Sequence, residues 1–122
     1  MEYTIIGRIP SKKNSRRPFI RGGRVMNFPS KDYVEWHKDA KIQLLAQEPE
    51  AMLTPCSVKI TITAPDNRKF DLTNKAESIM DLLVDMSILE DDNYYWCPEI
   101  LLKFGGVGEP KAVIELSPAP EN

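Results

Sequence analysis

Between Ser57 and Ala64 the apolar residues Val58, Ile60 and Ile62 alternate strictly with Lys59, Thr61 and Thr63, a period of two that suits a half-buried strand. Past the turn Pro65-Asp66-Asn67 the period changes. From Thr73 or Asn74 to Met86 the apolar positions Ile79, Leu82, Leu83 and Met86 recur at helical spacing, and upstream Tyr33, Trp36, His37, Ala40, Leu44 and Leu45 mark a second helix over Lys31 to Gln47, with Ser30 as its N-cap. The remaining strands are shorter. Tyr3 to Ile9 is one, stopped by Pro10. Arg24 to Phe28 is a brief returning strand after a polar loop whose Gly22-Gly23 suits a tight turn, and Ile100 to Phe104 and Ala112 to Leu116 form an antiparallel pair joined by GGVGEP. That order predicts an α+β fold, a single domain with a mixed β-sheet packed against two main helices. The domain is expected over residues 1–117, with the proline-rich SPAPEN making 118–122 a disordered tail.

Composition narrows the setting. The chain of 122 residues is 42% apolar and 28% charged, ordinary for a globular domain, and no apolar run approaches the roughly 18 to 20 residues of a membrane span. The start MEYTIIGRIP does not read as a signal peptide, and Cys56 and Cys97 read as two free thiols, so a cytoplasmic protein with no membrane contact is expected. With one histidine, His37, and no CxxC pair, a zinc site of Cys and His is not expected.

The net charge of −2 hides a separation. Arg8 to Lys31 carries eight basic residues and no acidic one, whereas Asp66 to Glu99 carries nine acidic residues against Arg68, Lys69 and Lys75. A basic segment able to follow phosphates, beside an acidic one able to hold a metal, suits hydrolysis of a polyanion.

Each acidic residue also has a purely structural reading. Asp71 is either the N-cap of the second helix or a ligand beside the sheet, and Thr73 and Asn74 compete with it for the cap. Glu77 fits the third helical position of a capping box begun by Asn74. Asp81 and Asp85, opposite the core stripe, read as a solvated helix face. Glu90-Asp91-Asp92-Asn93 serves equally as a polar turn, yet three adjacent carboxylates exceed what a turn needs, and Mg²⁺ requires only two or three. In the basic loop, Lys12, Lys13, Asn14, Arg16 and Arg17, with Arg21, Arg24 and Lys69, are candidate contacts to nucleic-acid phosphates. Most of the aromatics, Phe19, Phe28, Tyr33, Trp36, Tyr94, Tyr95 and Trp96, are expected in the core or at a dimer contact, and His37 is expected to be packed or exposed without a catalytic part.

The segment DLTNKAESIMDLLVDMSILEDDN resembles the RusA family of Holliday junction resolvases, whose signature runs D-L-D-N, a lysine three residues on, an aspartate a turn later and a closing D-D. Asp71, Leu72, Asn74, Asp81, Asp91 and Asp92 match it without a gap, and IPSKKNS is similar to the family's basic loop. The resemblance implies a homodimer that nicks branched DNA in symmetric pairs during recombination and repair, with Mg²⁺ as cofactor and Mn²⁺ as its substitute. It also implies that Asp71 and Asp92 ligate metal with Asp91 beside them. Two positions depart from the signature. Thr73 replaces its second aspartate and Glu77 its lysine, so the carboxylate count is kept if Glu77 supplies the missing ligand. The expected catalytic set is therefore Asp71, Glu77 and Asp92, and the expected metal set adds Asp91. The alternatives are a branched-DNA-binding module that has lost its metal, and a small nucleotide phosphohydrolase.

Overall fold

The computed structural model describes residues 1–11, 16–21 and 24–120, with 16–21 and 24–29 described through their backbone. Its elements are β1 (Glu2–Ile6), β2 (Arg16–Arg21), β3 (Arg24–Pro29), α1 (Lys31–Leu45), β4 (Cys56–Ala64), α2 (Leu72–Asp85), β5 (Glu99–Val107) and β6 (Lys111–Pro118). A four-stranded mixed sheet in the order β1-β6-β4-β5 carries both helices, which makes this a single α+β domain.

The alternation of β4 holds over its full length, so that Cys56, Val58, Ile60, Ile62 and Ala64 are buried while the residues between them are not. Each fully buried Val or Ile contributes about 1.5 to 3 kcal/mol. Ile5 of β1, Ile114 and Leu116 of β6, Leu44 of α1, and Ile79, Leu82 and Leu83 of α2 close the same core.

Several expectations are corrected. The first strand ends at Ile6, before Pro10, because Gly7 turns the chain at φ 113° and donates its N–H to Pro110 O at 2.8 Å. The polar loop is largely a hairpin, in which β2 and β3 pair antiparallel with Arg21 opposite Arg24. Lys12, Lys13 and Asn14 lie outside the described residues, as do Gly22 and Gly23. In α1 the buried face is Tyr33, Trp36, Ala40 and Leu44; Leu45, at the last helical position, is exposed and His37 is half-buried. The two C-terminal strands do not form a hairpin. β5 pairs with β4 in parallel, while β6 inserts on β4's other side, antiparallel both to it and to β1. β6 buries Ala112, Ile114 and Leu116 in strict alternation, which only a central position rewards, whereas β5 is mostly exposed. The expected tail begins inside the sheet, since Pro118 lies opposite Cys56 and Ala119 N–H donates to Pro55 O at 2.9 Å.

The end of α2 directs the chain toward the acidic turn. Ser87 N–H donates to Val84 O and Ile88 N–H to Leu83 O, a Schellman closure in which Ser87 takes the left-handed φ of 59°. Ile88 and Leu89 then dock into the core. Because a side chain is disfavoured there, Ser87→Gly is expected to raise the unfolding free energy by about 0.5 to 1 kcal/mol in urea titration.

Candidate functional site

Helix α2 opens at Leu72, earlier than its apolar spacing indicates, because Asp71 caps it. Asp71 is extended at φ −92° and ψ 115°, and its Oδ1 accepts Thr73 N–H at 3.1 Å and the Thr73 hydroxyl at 2.6 Å. With Asp71 as cap, the capping box starting at Asn74 does not form. Glu77 instead sits in the second turn, exposed along the flank of the helix.

The flanks of these first turns line two different clefts. On one side Thr73, Glu77, Asp81 and Asp92 line a cleft of about 460 Å³ whose apolar wall is Ala76, Met80, Ile100 and Leu102. On the other side Asp71 and Asn74 join Arg8, Lys69 and Lys75 around about 630 Å³. Glu77, Asp81 and Asp92 thus share the wall of one cleft, while Asp71 and Lys69 lie on the neighbouring one.

In the acidic turn Asp91 is engaged locally. Its carboxylate accepts Asp92 N–H at 2.7 Å and Asn93 Nδ2 at 3.3 Å, while Asn93 Oδ1 accepts the N–H groups of Tyr95 and Trp96. These bonds leave Asp92 exposed at the cleft. Cys97 anchors the turn from below, its thiol donating to Asp91 O at 3.6 Å. Burial pushes that thiol up to about 12, with Cys56, Asp92 and Asp91 adding to the shift, and burial also raises Cys56. Both cysteines are free, as expected, and both are buried, so neither is a nucleophile.

The second cleft is electropositive at its edge. Lys75 donates to Ile9 O and stands 4.9 Å over the Phe70 ring. Burial lowers its pKa first and the nearby Arg8 lowers it further, while Asp66 offsets part of the shift. Ser78, fully buried, donates to Pro10 O at 2.7 Å, so the chain leaving β1 is pinned to α2 at two points.

The expectation that Asp81 and Asp85 form a solvated face holds for Asp85, which is exposed, and is corrected for Asp81, which is half-buried; both also have partners on α1. The Tyr33 hydroxyl donates to Asp81 Oδ2 at 2.7 Å, and His37 Nε2 lies 2.8 Å from Asp85 Oδ2, so two i, i+4 pairs meet across α1 and α2. Tyr33 and Trp36 pack around the imidazole at ring separations of 5.9 and 6.3 Å. Among the described residues, His37, Asp81 and Asp85 are the group whose ligand atoms all lie within 4.8 Å of one another. An imidazole with two carboxylates is a donor mix that Zn²⁺ or Mn²⁺ accepts, but here those atoms already bond to one another or to Tyr33 and staple the helices. Sequence reasoning missed this cluster. Its only signal is the pair of i, i+4 spacings, which acquires meaning once the two helices are known to touch.

Of the aromatics, Tyr33 and Trp36 are buried, Tyr94 and Tyr95 are strongly exposed, and the side chains of Phe19 and Phe28 fall outside the described residues, as do those of Arg16, Arg17, Arg21 and Arg24. No helix among the described residues is long and apolar enough to cross a membrane. No family model matches the chain, and no curated protein matches it.

Proposed function

We propose that this protein is a metal-dependent, structure-specific endodeoxyribonuclease of the RusA type, which acts as a homodimer and cuts Holliday junctions or related branched DNA by paired nicks. The observation that carries the reading is the open cleft whose wall Glu77 and Asp92 share, one from the helix flank and the other from the turn behind it. Glu77 and Asp92 are carboxylates, the hard oxygen ligands that Mg²⁺ and Mn²⁺ take, so their chemistry suits that cofactor, while Asp81 on the same wall stays bonded to Tyr33. Mg²⁺ held there would supply an activated water and offset the charge that builds up on a phosphoryl group under attack.

The chain's own residues supply position and charge. Arg8 and Lys69, in the cleft on the other side of the same helical turns, offer cations to the backbone phosphates of one strand, which fixes its register without reading bases. The basic residues between Lys12 and Arg24 add further charge for phosphates by composition alone. Glu77 takes the ligand position that Thr73 leaves empty, and Asp71 supports it by holding the first turn of α2.

A second reading has its own observation. Asp71 caps α2 and faces the other cleft, which favours a branched-DNA-binding module without metal. One experiment separates the two. Labelled four-way junction, flap, duplex and single strand are incubated with the protein, with and without Mg²⁺, alongside calorimetric titration of the metal. Metal-dependent nicking of the junction in symmetric pairs is expected. Junction binding with neither nicking nor metal uptake would establish the binding module instead, and cleavage of free nucleotides alone would overturn both.

A further inference from the structure

The two edges of the sheet are treated differently. At β1 the outward backbone groups are blocked by Gln43 of α1 and Gln47 just past its end: Gln47 accepts from Thr4 N–H and donates to Thr4 O, and Gln43 does the same for Ile6. Each side-chain amide thereby stands in for a neighbouring strand. At β5 nothing among the described residues pairs with the outer edge, although this strand is nine residues long and carries Ile100, Leu101, Phe104 and Val107, all at least 44% exposed. An open, apolar edge of this length invites another strand.

We infer that β5 is where two copies of this chain join, antiparallel, about a two-fold axis normal to the sheet at Leu101. The charges select that register. Ser57 lies opposite Glu99, so Glu99, Leu101 and Lys103 share the open face of the sheet, and Ile100, Leu102 and Phe104 share the helix face. An axis at Leu101 sets Glu99 of each copy against Lys103 of the other and Leu101 against itself, with Ile100 opposite Leu102 on the reverse face. An axis at Lys103 would oppose two lysines, and axes at Ile100 or Leu102 leave Glu99 facing Leu101 or Gly105. Ser57 Oγ already donates to Glu99 Oε2 at 2.7 Å, which holds that carboxylate at the strand. Beyond Phe104 the strand leaves regular geometry. An added Cβ at Gly105 would lie 2.9 Å from Thr63 Oγ1, and Gly106 takes φ 90°, so pairing is confined to the Glu99–Phe104 stretch.

This rests on the homodimer of the reading above and deepens it by naming the surface. Ile100 and Leu102 also line the cleft of Glu77 and Asp92, so the interface sets two acidic clefts on the same face of one continuous sheet, flanking the axis. That is the arrangement symmetric nicks require.

The test reads association and register separately. Sedimentation of the wild-type chain at micromolar concentration is expected to show a dimer. Glu99→Lys or Lys103→Glu, each opposing like charges at two symmetric positions, should raise the dissociation constant about tenfold or more, and the double reversal should return it to within about threefold of wild type. Leu101→Cys should cross-link to itself under mild oxidation, because opposed Cα atoms about 4.5 to 5.5 Å apart lie within disulfide reach, whereas Val107→Cys should not. A monomeric wild type would overturn the interface and the dimer together. A dimer indifferent to charge reversal, in which Leu101→Cys fails to cross-link, would overturn this interface and leave the homodimer standing.

Discussion

Asp92→Asn and Glu77→Gln are each expected to reduce Mg²⁺-dependent nicking of a four-way junction by at least about a hundredfold, the scale seen when one preorganised electrostatic group is removed from a hydrolytic site. Both side chains are exposed on the cleft wall and neither belongs to the core, so the amides keep shape and remove only charge. Junction affinity, which depends on cations elsewhere, should change no more than a few-fold when measured without metal. Asp71→Asn provides the contrast. Asparagine caps a helix about as well as aspartate, so α2 stays intact and the variant reports on charge alone. A modest loss would leave Asp71 a positioning residue, whereas a loss equal to that of Asp92→Asn would make it a ligand that reaches the metal from its own cleft. Unchanged nicking by Glu77→Gln would remove the compensation on which the nuclease reading depends.

The fold class was legible because β4, α1 and α2 each repeat one period long enough to leave a single solution. Strand order was less so. Ile100–Phe104 and Ala112–Leu116 are separated by a glycine-rich turn, the usual mark of a hairpin, but β4 with its fully buried face offers two edges and takes one strand on each. The distinction lay in the patterns. β6 alternates cleanly between buried and half-exposed positions, as a central strand must, and β5 is exposed along most of its length on both faces, as an edge strand is. The hairpin of β2 and β3 was hidden by composition, since RRPFIR shows arginines and a proline where a strand shows alternation.

The site was half legible for a related reason. Sequence spacing places Glu77 and Asp92 on the flank and the exit of one helix, and the Schellman closure at Ser87 turns that exit back along the flank, so these two line one cleft. Asp71 shows the limit. Whether a carboxylate at a helix start turns inward as a cap or outward as a ligand depends on one backbone angle, and Thr73, where the family signature has aspartate, supplies both an amide and a hydroxyl to hold it inward. Asp81 and Asp85 could not be assigned from α2 alone, because their partners Tyr33 and His37 each sit 48 residues earlier in the chain, on another helix.

Leu82→Ala is expected to cost about 2 to 5 kcal/mol of unfolding free energy. Leu82 has no exposed surface and lies in the α2 stripe with Ile79 and Leu83, so the deleted atoms leave a void that a sheet on one side and a helix on the other can only partly close. Alanine's better helix propensity returns only a few tenths of a kcal/mol. Leu45→Ala is the control. Also helical but 63% exposed, it should change stability by no more than about 0.5 kcal/mol in the same urea titration. Because Glu77 and Asp81 ride on the flank of the helix whose core face Leu82 anchors, the two consequences can be separated by temperature. Well below its lowered midpoint the variant should keep most of its nicking, since its charges and cap are untouched, and nicking should then fall in parallel with the loss of near-ultraviolet circular dichroism. Nicking lost while the chain remains folded would mean that packing under α2, and not charge alone, sets the geometry of the cleft.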